Sequence, residues 1–234
     1  MTQRQKKIFC VIPIRKGSKG IKNKNIRNFN GKPLAYYSIK AAVESKIFSK
    51  IIVAHNSDLY KRKLSKFFKK YNSIFFYKRS EESSTDTAST ESLILEVIKN
   101  NFFIKKDSIF FLIQATSPLL KAIDLIKAYM SYNKEKYDTL FTSYKKKIFI
   151  WRSNSKKTMK PYYHNPFLRK MKQDRKYFYI ENGAFYIFKT LNFLNKENRI
   201  HGRIGTFVMP EIRSIEIDDK DEFKIAENLY KFKI

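Results

Sequence analysis

The sequence of 234 residues predicts a three-layer α/β fold, in which a twisted and mostly parallel sheet lies between two layers of helices. Three observations predict this fold. Short apolar runs alternate with longer amphipathic segments through residues 8–142, as strands alternate with crossover helices. The first run, Ile8–Pro13, is continuously apolar, as expected of a strand that is covered on both faces. Hydrophobic residues make up 43% of the chain, which is enough to bury a substantial core.

The elements follow from local patterns. Apolar, β-branched or aromatic runs predict the strands Ile8–Pro13, Ile51–Val53, Ile74–Tyr77, Ile109–Ile113, Thr139–Thr142, Ala184–Phe188, Thr206–Met209 and Ser214–Ile217. Helical periodicity predicts the helices Pro33–Phe48, Asp58–Tyr71, Thr90–Asn100, Ile123–Tyr132 and Asp219–Phe232. Pro33 is acceptable in the first turn of a helix. Asp219 and Glu222 have the spacing of a capping box, so we assign Asp219 a structural role.

The alternation stops after about Tyr144. Residues 145–181 are rich in lysine and aromatic residues, contain Pro161 and Pro166, and show no sustained period. This 145–181 segment is interpreted as a lid, a dimerisation arm or a flexible loop outside the sheet. Because there is no internal repeat and no separable second domain, we expect one domain over residues 1–234.

The charge raises the question of nucleic-acid binding. The chain has 49 Lys and Arg against 21 Asp and Glu, a formal net charge of +28, and a basic chain suggests a polyanionic partner. The lysines are nevertheless spread along the whole sequence, and the longest basic block is residues 145–147. There is no zinc-finger spacing and no RNA-recognition signature. The abundant Ile, Phe, Tyr, Asn and Lys share A/T-rich codons, so genome composition explains much of the excess. A basic nucleic-acid-binding module remains the alternative from another functional class.

The compartment is inferred from two features. The apolar run Ile8–Ile14 is far shorter than the roughly 18 residues of a membrane span, and it ends in Arg15 and Lys16 without a cleavage site. The single cysteine, Cys10, excludes an intramolecular disulfide. We therefore expect a cytoplasmic protein that does not bind a membrane.

The loop after the first strand is the first candidate site. Three of the six glycines fall within residues 17–31, accompanied by Arg15, Lys16, Lys19, Lys22 and Lys24. Ligands of open parallel sheets bind beyond the carboxyl ends of the strands, which is the position of this loop. Glycines let backbone N–H groups approach phosphate oxygens, and the cations neutralise negative charge. The loop is thus either a phosphate site or a solvated basic turn, and it matches neither Walker A nor GxGxxG.

The second candidate is an acidic pair near the C-terminal end. Glu216 and Asp218 are two positions apart, so on a strand both carboxylates face the same side while Ile215 and Ile217 pack inward. Two converging carboxylates suit a hard cation such as Mg²⁺. The alternative is a strand whose wet face carries no metal.

Several segments together carry a resemblance to a known family. They are residues 12–20, 24–26, 31–34, 86–89, 114–119 and 182–186, followed by the acidic pair. In this order they resemble the acylneuraminate cytidylyltransferases, that is, the bacterial CMP-sialic acid synthetases and their relatives for legionaminic and pseudaminic acids. The match spans residues 8–228, and Lys24-Asn25 favours this branch over the similar Kdo cytidylyltransferases.

The resemblance implies a nucleotide-diphospho-sugar transferase-like, Rossmann-type fold and a CTP-dependent nucleotidyltransferase. The anomeric hydroxyl of an acidic nine-carbon sugar would attack the α-phosphate of CTP and release pyrophosphate, with Mg²⁺ on Glu216 and Asp218. Arg15, Lys24 and Asp218 would be catalytic. The nucleotide-binding set would be Arg15, Ser18, Lys19, Lys24, Asn25, Ser89, Gln114, Thr116 and Ser117, although residues 116–118 could instead form a turn that caps a helix. The sugar-binding set would be Gln114, Lys172, Gln173 and Asn182.

The sequence departs from the family at several positions. Glu216 replaces an Asp, which puts its direct metal contact in question, and His55-Asn56 stands where an Asp is frequent. Residues 180–181 lack a frequent Arg, so the sugar is not identified. The family resemblance also implies a homodimer in which the 145–181 segment reaches the partner's sugar pocket. Alternatives of the same fold are a Kdo or other sugar nucleotidyltransferase and a relative that binds nucleotide without catalysis.

Overall fold

The computed structural model describes residues 7–18, 20–153 and 158–232. The strands of these described parts are β1 Ile8–Ile14, β2 Asn28–Phe29, β3 Lys32–Pro33, β4 Lys50–His55, β5 Ile74–Lys78, β6 Ile109–Ile113, β7 Thr139–Lys146, β8 Trp151–Ser153, β9 Met159–Pro161, β10 Phe178–Lys189 and β11 Ile204–Val208. The centre of the fold is a seven-stranded sheet in the order β11-β7-β10-β6-β1-β4-β5. The other strands form two small two-stranded sheets, β2-β3 and β8-β9.

Helices cover both faces of the central sheet, so the predicted three-layer α/β fold is confirmed. They are α1 Leu34–Ser45, α2 Asp58–Phe68, α3 Thr90–Asn100, α4 Ala122–Lys134, α5 Thr190–Lys196 and α6 Lys220–Lys231. One face packs against α1, α2 and α4 through residues such as Ile39 and Leu64. The other packs against α3 and α5 through residues such as Ile94 and Phe193. A smaller cluster joins α6 to α1 around Phe223.

The sheet is mostly parallel because β1, β4, β5 and β6 are linked by crossover helices. The exception is β10, which pairs antiparallel with both β6 and β7. Since β4 lies on one side of β1 and β6 on the other, the strand order reverses at β1. Ligands of open α/β sheets bind at such a point.

The 145–181 segment needs a correction, because both of its ends belong to the sheet. β7 continues to Lys146 and β10 begins at Phe178, and these two residues are partners in the ladder. The predicted strands Thr139–Thr142 and Ala184–Phe188 are therefore too short. The mutual pairing of β7 and β10 carries both strands beyond the other strands of the sheet. Between them lie the β8-β9 hairpin and a 3₁₀ turn at Lys172–Asp174.

The predicted strand Ser214–Ile217 is wrong, because residues 214–218 form an irregular segment instead of a strand. Its backbone makes one ladder-like contact, from Ile217 N to Thr116 O at 3.0 Å. The alternating pattern nevertheless has the expected effect, since Ile217 is fully buried against α6 and α1. The helix that follows begins as predicted: Asp219 is the N-cap of α6 and forms a capping box with Glu222.

Two further observations concern the compartment. Among the residues that the structure describes, no helix is long and apolar enough to cross a bilayer. Cys10 is fully buried in β1 and has no disulfide partner. Burial raises the pKa of its thiol well above the ordinary value, which fits the packing role of a small hydrophobe.

Candidate active site

A cavity of about 450 Å³ lies at the carboxyl ends of β1, β5 and β6. The loops that leave these three strands and the segment before α6 form its wall. The predicted site residues that line it are Arg15, Ser18, Lys24, Asn25, Ser89, Gln114, Thr116, Glu216 and Asp218. The structure thus brings the basic loop, the segment after β6 and the acidic pair to one place, although they are far apart in the sequence.

The basic loop leaves β1 and turns into a short 3₁₀ helix at Lys24–Ile26. Gly17 adopts a φ of 102°, a conformation that side-chain-bearing residues rarely adopt. The buried Asn25 donates from Nδ2 to the carbonyl of Arg15 at 3.1 Å. The Arg15 guanidinium in turn donates to Asp86 Oδ1 at 3.1 Å. The loop therefore presents a fixed cation to the cavity.

The acidic pair lines the same cavity, in contact with the basic loop. Lys24 Nζ donates to Asp218 Oδ1 at 2.9 Å and to the carbonyl of Ile217 at 2.7 Å, which ties the acidic segment to the basic loop. Burial raises the pKa of Glu216, and the neighbouring Asp218 carboxylate adds to the effect. The two carboxylates thus face a cavity that is also lined by basic side chains.

Glu216 is held closely. Its carboxylate accepts from Thr116 Oγ1 at 3.3 Å and lies against the backbone of Gly183. A Cβ atom at Gly183 would come within 2.7 Å of Glu216 Oε2, so a side chain here would displace the Glu216 carboxylate from this position. The Asn-Gly pair at residues 182–183 thereby positions the first acidic residue.

The acidic pair fits a magnesium ion in the chemistry of its donors. Among the described residues there is no group of three or more His, Cys, Asp or Glu side chains that could hold a metal ion. Mg²⁺ is commonly bound by only one or two carboxylates, with substrate phosphates and waters as its other ligands. Glu216 and Asp218 line the same cavity and supply this minimal set.

The segment after β6 forms the floor of the cavity. Gln114 and Thr116 line it, whereas Ser117 is buried behind them with an Oγ that has no hydrogen-bond partner among the residues that the structure describes. The segment is a turn, but it does not cap α4, whose N-cap is Lys121. Ser89 lines the cavity, and its side chain also accepts the N–H of Ser92 as the N-cap of α3.

Other predicted residues lie elsewhere. Lys172 and Gln173 are exposed in the 3₁₀ turn of the 145–181 segment and do not line the cavity of their own chain. Asn182 is buried and donates to Ser214 Oγ at 2.8 Å, so its amide holds the acidic segment from behind. Lys19 lies outside the described residues. The predicted sugar-binding role of Lys172, Gln173 and Asn182 stays a prediction.

Arg79 is a cavity residue that the sequence reasoning missed. It directly follows β5 and lines the cavity, and its Nε is buried without a hydrogen-bond partner in the described parts of the chain. Burial lowers the pKa of its guanidinium; Arg15 lowers it further, while Glu96 opposes the effect. A basic residue at the carboxyl end of a predicted parallel strand was the signal that could have revealed it.

His55 is buried at the end of β4 and does not line the cavity. Burial lowers the pKa of its imidazole from 6.5; Lys61 and Lys78 add to this effect, and Asp58 opposes it. Below a pH of about 6.5, the unfolded chain therefore binds a proton that the folded chain does not. We expect the free energy of unfolding to decrease as the pH falls from about 7.5 to about 5.5.

The substitution His55→Phe should flatten this pH dependence, since phenylalanine keeps a ring at this site but does not titrate. Urea denaturation of both proteins across this pH range measures the effect. Parallel slopes for the two proteins would show that other groups cause the acid sensitivity.

Comparison with known proteins supports one family. The family model described as Cytidylyltransferase matches residues 9–229. The chain is 30% identical to a flagellin modification protein B of Campylobacter coli over 97% of this chain and 96% of the other. It is 32% identical to an N-acylneuraminate cytidylyltransferase of Escherichia coli, but it spans only 51% of that relative's length. It is 29% identical to a pseudaminic acid cytidylyltransferase of Campylobacter jejuni, and it spans 97% of that relative.

A solved structure shows the same fold. The structure of CMP:2-keto-3-deoxy-manno-octonic acid synthetase complexed with CTP superposes with a TM-score of 0.66 at 14% identity. The superposition covers 97% of this chain and 100% of that structure. The predicted fold class and the predicted family are both confirmed: the chain belongs to the cytidylyltransferase family.

Proposed function

We propose that this enzyme transfers CMP from CTP to the anomeric hydroxyl of a nonulosonic acid, meaning sialic acid or one of its nine-carbon relatives. The observation that carries the proposal is the contact between Lys24 and Asp218 at 2.9 Å. It brings the cationic loop expected to bind the triphosphate and the carboxylates expected to bind a metal to one point of one cavity. The buried free thiol of Cys10 fits a reducing compartment, and we place the reaction in the cytoplasm.

The reaction requires alignment and charge stabilisation more than covalent chemistry by the protein. The sugar hydroxyl oxygen forms a bond to the α-phosphorus, the bond between the α- and β-phosphates breaks, and the hydroxyl proton is lost. Negative charge accumulates on the departing pyrophosphate. Arg15 and Lys24 lie where they can oppose that charge, together with the amides of the glycine-containing loop.

Glu216 and Asp218 would hold Mg²⁺ in the same cavity. When bound, the ion supplies neutralisation of phosphate charge and lowers the pKa of a bound hydroxyl. Asp218 is the more exposed of the two carboxylates and already carries the Lys24 contact, so it can exchange that partner when CTP arrives. Glu216 is less free, because Thr116 and Gly183 fix its carboxylate.

The base is expected to lie towards β6 and α3. Gln114 has an amide that can both donate and accept, as the edge of cytosine demands, and the hydroxyls of Ser89 and Thr116 line the same cavity. These groups support selection of a pyrimidine.

The test is a pyrophosphate-release assay with CTP, Mg²⁺ and a panel of nonulosonic acids, with Kdo as the sugar control. We expect turnover with at least one nonulosonic acid and a larger rise in melting temperature with CTP than with ATP or GTP. Turnover with Kdo alone would assign the enzyme to the alternative sugar class. Tight, strongly salt-dependent binding of DNA or RNA without CTP turnover would contradict the proposal.

The 145–181 segment supports a homodimer as part of this function. Large apolar side chains are exposed on it, among them Phe167, which is 92% exposed, and Leu168, which is 72% exposed. Contiguous apolar surface of this kind is unusual on a monomer, and a two-fold dimer is the commonest way to cover it. In such a dimer Lys172 and Gln173 would approach the sugar pocket of the other subunit.

Mixing two inactive variants tests this arrangement. Arg15→Ala removes the nucleotide contact, and Lys172→Ala removes the proposed contribution to the partner's site. If sites are shared, subunit exchange produces some dimers with one intact site, so activity returns. A mass near 28 kDa by light scattering, or no recovery after proven exchange, would contradict the shared site.

A further inference from the structure

We propose that Asn56 is a positioning residue that holds Arg15 in its place beside the triphosphate; this inference rests on the proposed function. Asn56 directly follows β4, at the edge of the sheet where the cavity opens. Its side chain does not line the cavity. Its amide oxygen instead accepts the backbone N–H of Lys16 at 2.8 Å.

The register of the sheet explains why this contact matters. β1 and β4 are parallel partners up to the pair Ile14 and His55, where the regular ladder ends. The side-chain oxygen of Asn56 takes over as acceptor for an N–H just beyond that end. Asn56 thus holds the chain that leaves β1 at a position two residues beyond the end of that strand.

The side-chain amide of Asn25 holds the same part of the loop. Asn25 donates from Nδ2 to the carbonyl of Arg15 at 3.1 Å, and Asn56 accepts from the N–H of the next residue. The two amides therefore fix both ends of the peptide unit that joins Arg15 to Lys16. The next residue, Gly17, has a φ of 102° and meets no neighbour at its Cβ position, so this turn depends on the freedom of glycine.

The same end of β4 also positions the other guanidinium. The carbonyl of His55 accepts the backbone N–H of Arg79 at 2.8 Å. His55 and Asn56 are consecutive and lie between the two arginine-bearing loops of the cavity. They anchor the backbones of both loops that carry these like charges. Pre-organised cations are worth more than mobile ones, because no reorganisation is needed when charge develops.

The test compares two substitutions at Asn56. Asn56→Leu keeps the approximate size but removes the acceptor, and Asn56→Asp keeps an oxygen at the same position. We expect Asn56→Leu to lower kcat/KM for CTP about tenfold to hundredfold, the range for a displaced catalytic group. Asn56→Asp should stay much closer to the unmodified enzyme. The matched control is Asn192→Leu, which removes an amide contact to Asp138 away from the cavity and should leave turnover unchanged.

A double-mutant cycle separates positioning from a general structural role. If Asn56 acts through Arg15, Asn56→Leu should cost less than about threefold once Arg15 is already alanine. An equal loss in both backgrounds, or an Asn56→Asp enzyme as slow as Asn56→Leu, would overturn the proposal. So would unchanged activity of Asn56→Leu.

Failure of this inference is distinguishable from failure of the function. If the unmodified chain neither binds nor turns over CTP, the proposed function is wrong, and the role of Asn56 beside a triphosphate is wrong with it. If the unmodified chain is active and Asn56→Leu matches it in rate and melting temperature, only the positioning role is wrong.

Discussion

Replacing Arg15 by alanine is expected to lower turnover about 10²- to 10³-fold, or about 2–4 kcal/mol of transition-state stabilisation. Arg15 lines the cavity and lies in the loop expected to bind the triphosphate. Its partner in the structure is Asp86, through a half-exposed ion pair at 3.1 Å, and such pairs contribute little to stability. The loss should therefore appear in the rate and not in the fold.

Steady-state kinetics with CTP and the melting temperature together check this result. Lys16→Ala is the matched control, because Lys16 is the neighbouring exposed cation and does not line the cavity. The control should stay within a few-fold of the unmodified enzyme. Near-normal turnover of Arg15→Ala would place the triphosphate elsewhere in the cavity.

Replacing Asp218 by asparagine is expected to lower activity by orders of magnitude and to raise the Mg²⁺ concentration needed for half-maximal rate. The substitution keeps the shape of the side chain but removes the charge that attracts a hard cation. It also weakens the contact with Lys24 at 2.9 Å, so the acidic segment and the basic loop are held together less firmly. A Mg²⁺ titration of the rate measures both effects.

Glu216→Gln provides the comparison within the same site. Glutamine keeps an oxygen that can accept from Thr116, so the packing against Gly183 should survive. If Glu216 contacts the metal through water, this variant should lose less activity than Asp218→Asn. Asp221→Asn is a control on the exposed first turn of α6 and should be neutral. An unchanged Mg²⁺ dependence of Asp218→Asn would contradict the metal role.

Elements with a strong local pattern were predicted closely from the sequence. The predicted helix Thr90–Asn100 and the predicted strand Ile109–Ile113 have the observed bounds, because each combines a clear apolar period with clear ends. The pattern failed where tertiary pairing decides the structure. β10 begins at Phe178 only because β7 pairs with it there, and no local signal reveals that partner.

The candidate site followed the same division. Motif residues such as Lys24, Gln114 and Asp218 line one cavity, and their roles in binding and catalysis stay predictions. Arg79 was not predicted, because the loop that follows its strand contains no glycine to mark it as a phosphate-binding loop. The strand around Glu216 was wrong, since alternation of Ile and acidic residues also describes an irregular segment that packs one face on a helix. Alternation reports which side is buried, not whether a strand neighbour exists.

The way residues 214–218 are held sets when this chain can become an enzyme. Lys24 Nζ donates to the carbonyl of Ile217, a contact between residues 193 positions apart. Contacts of such high contact order form late, because a long loop must be closed before they stabilise anything. During synthesis the sheet strands β1, β4, β5 and β6 emerge long before residues 214–218. A nascent chain that has not reached Asp218 therefore carries the basic loop without the two carboxylates that we propose as magnesium ligands, and we expect activity only when the fold is complete.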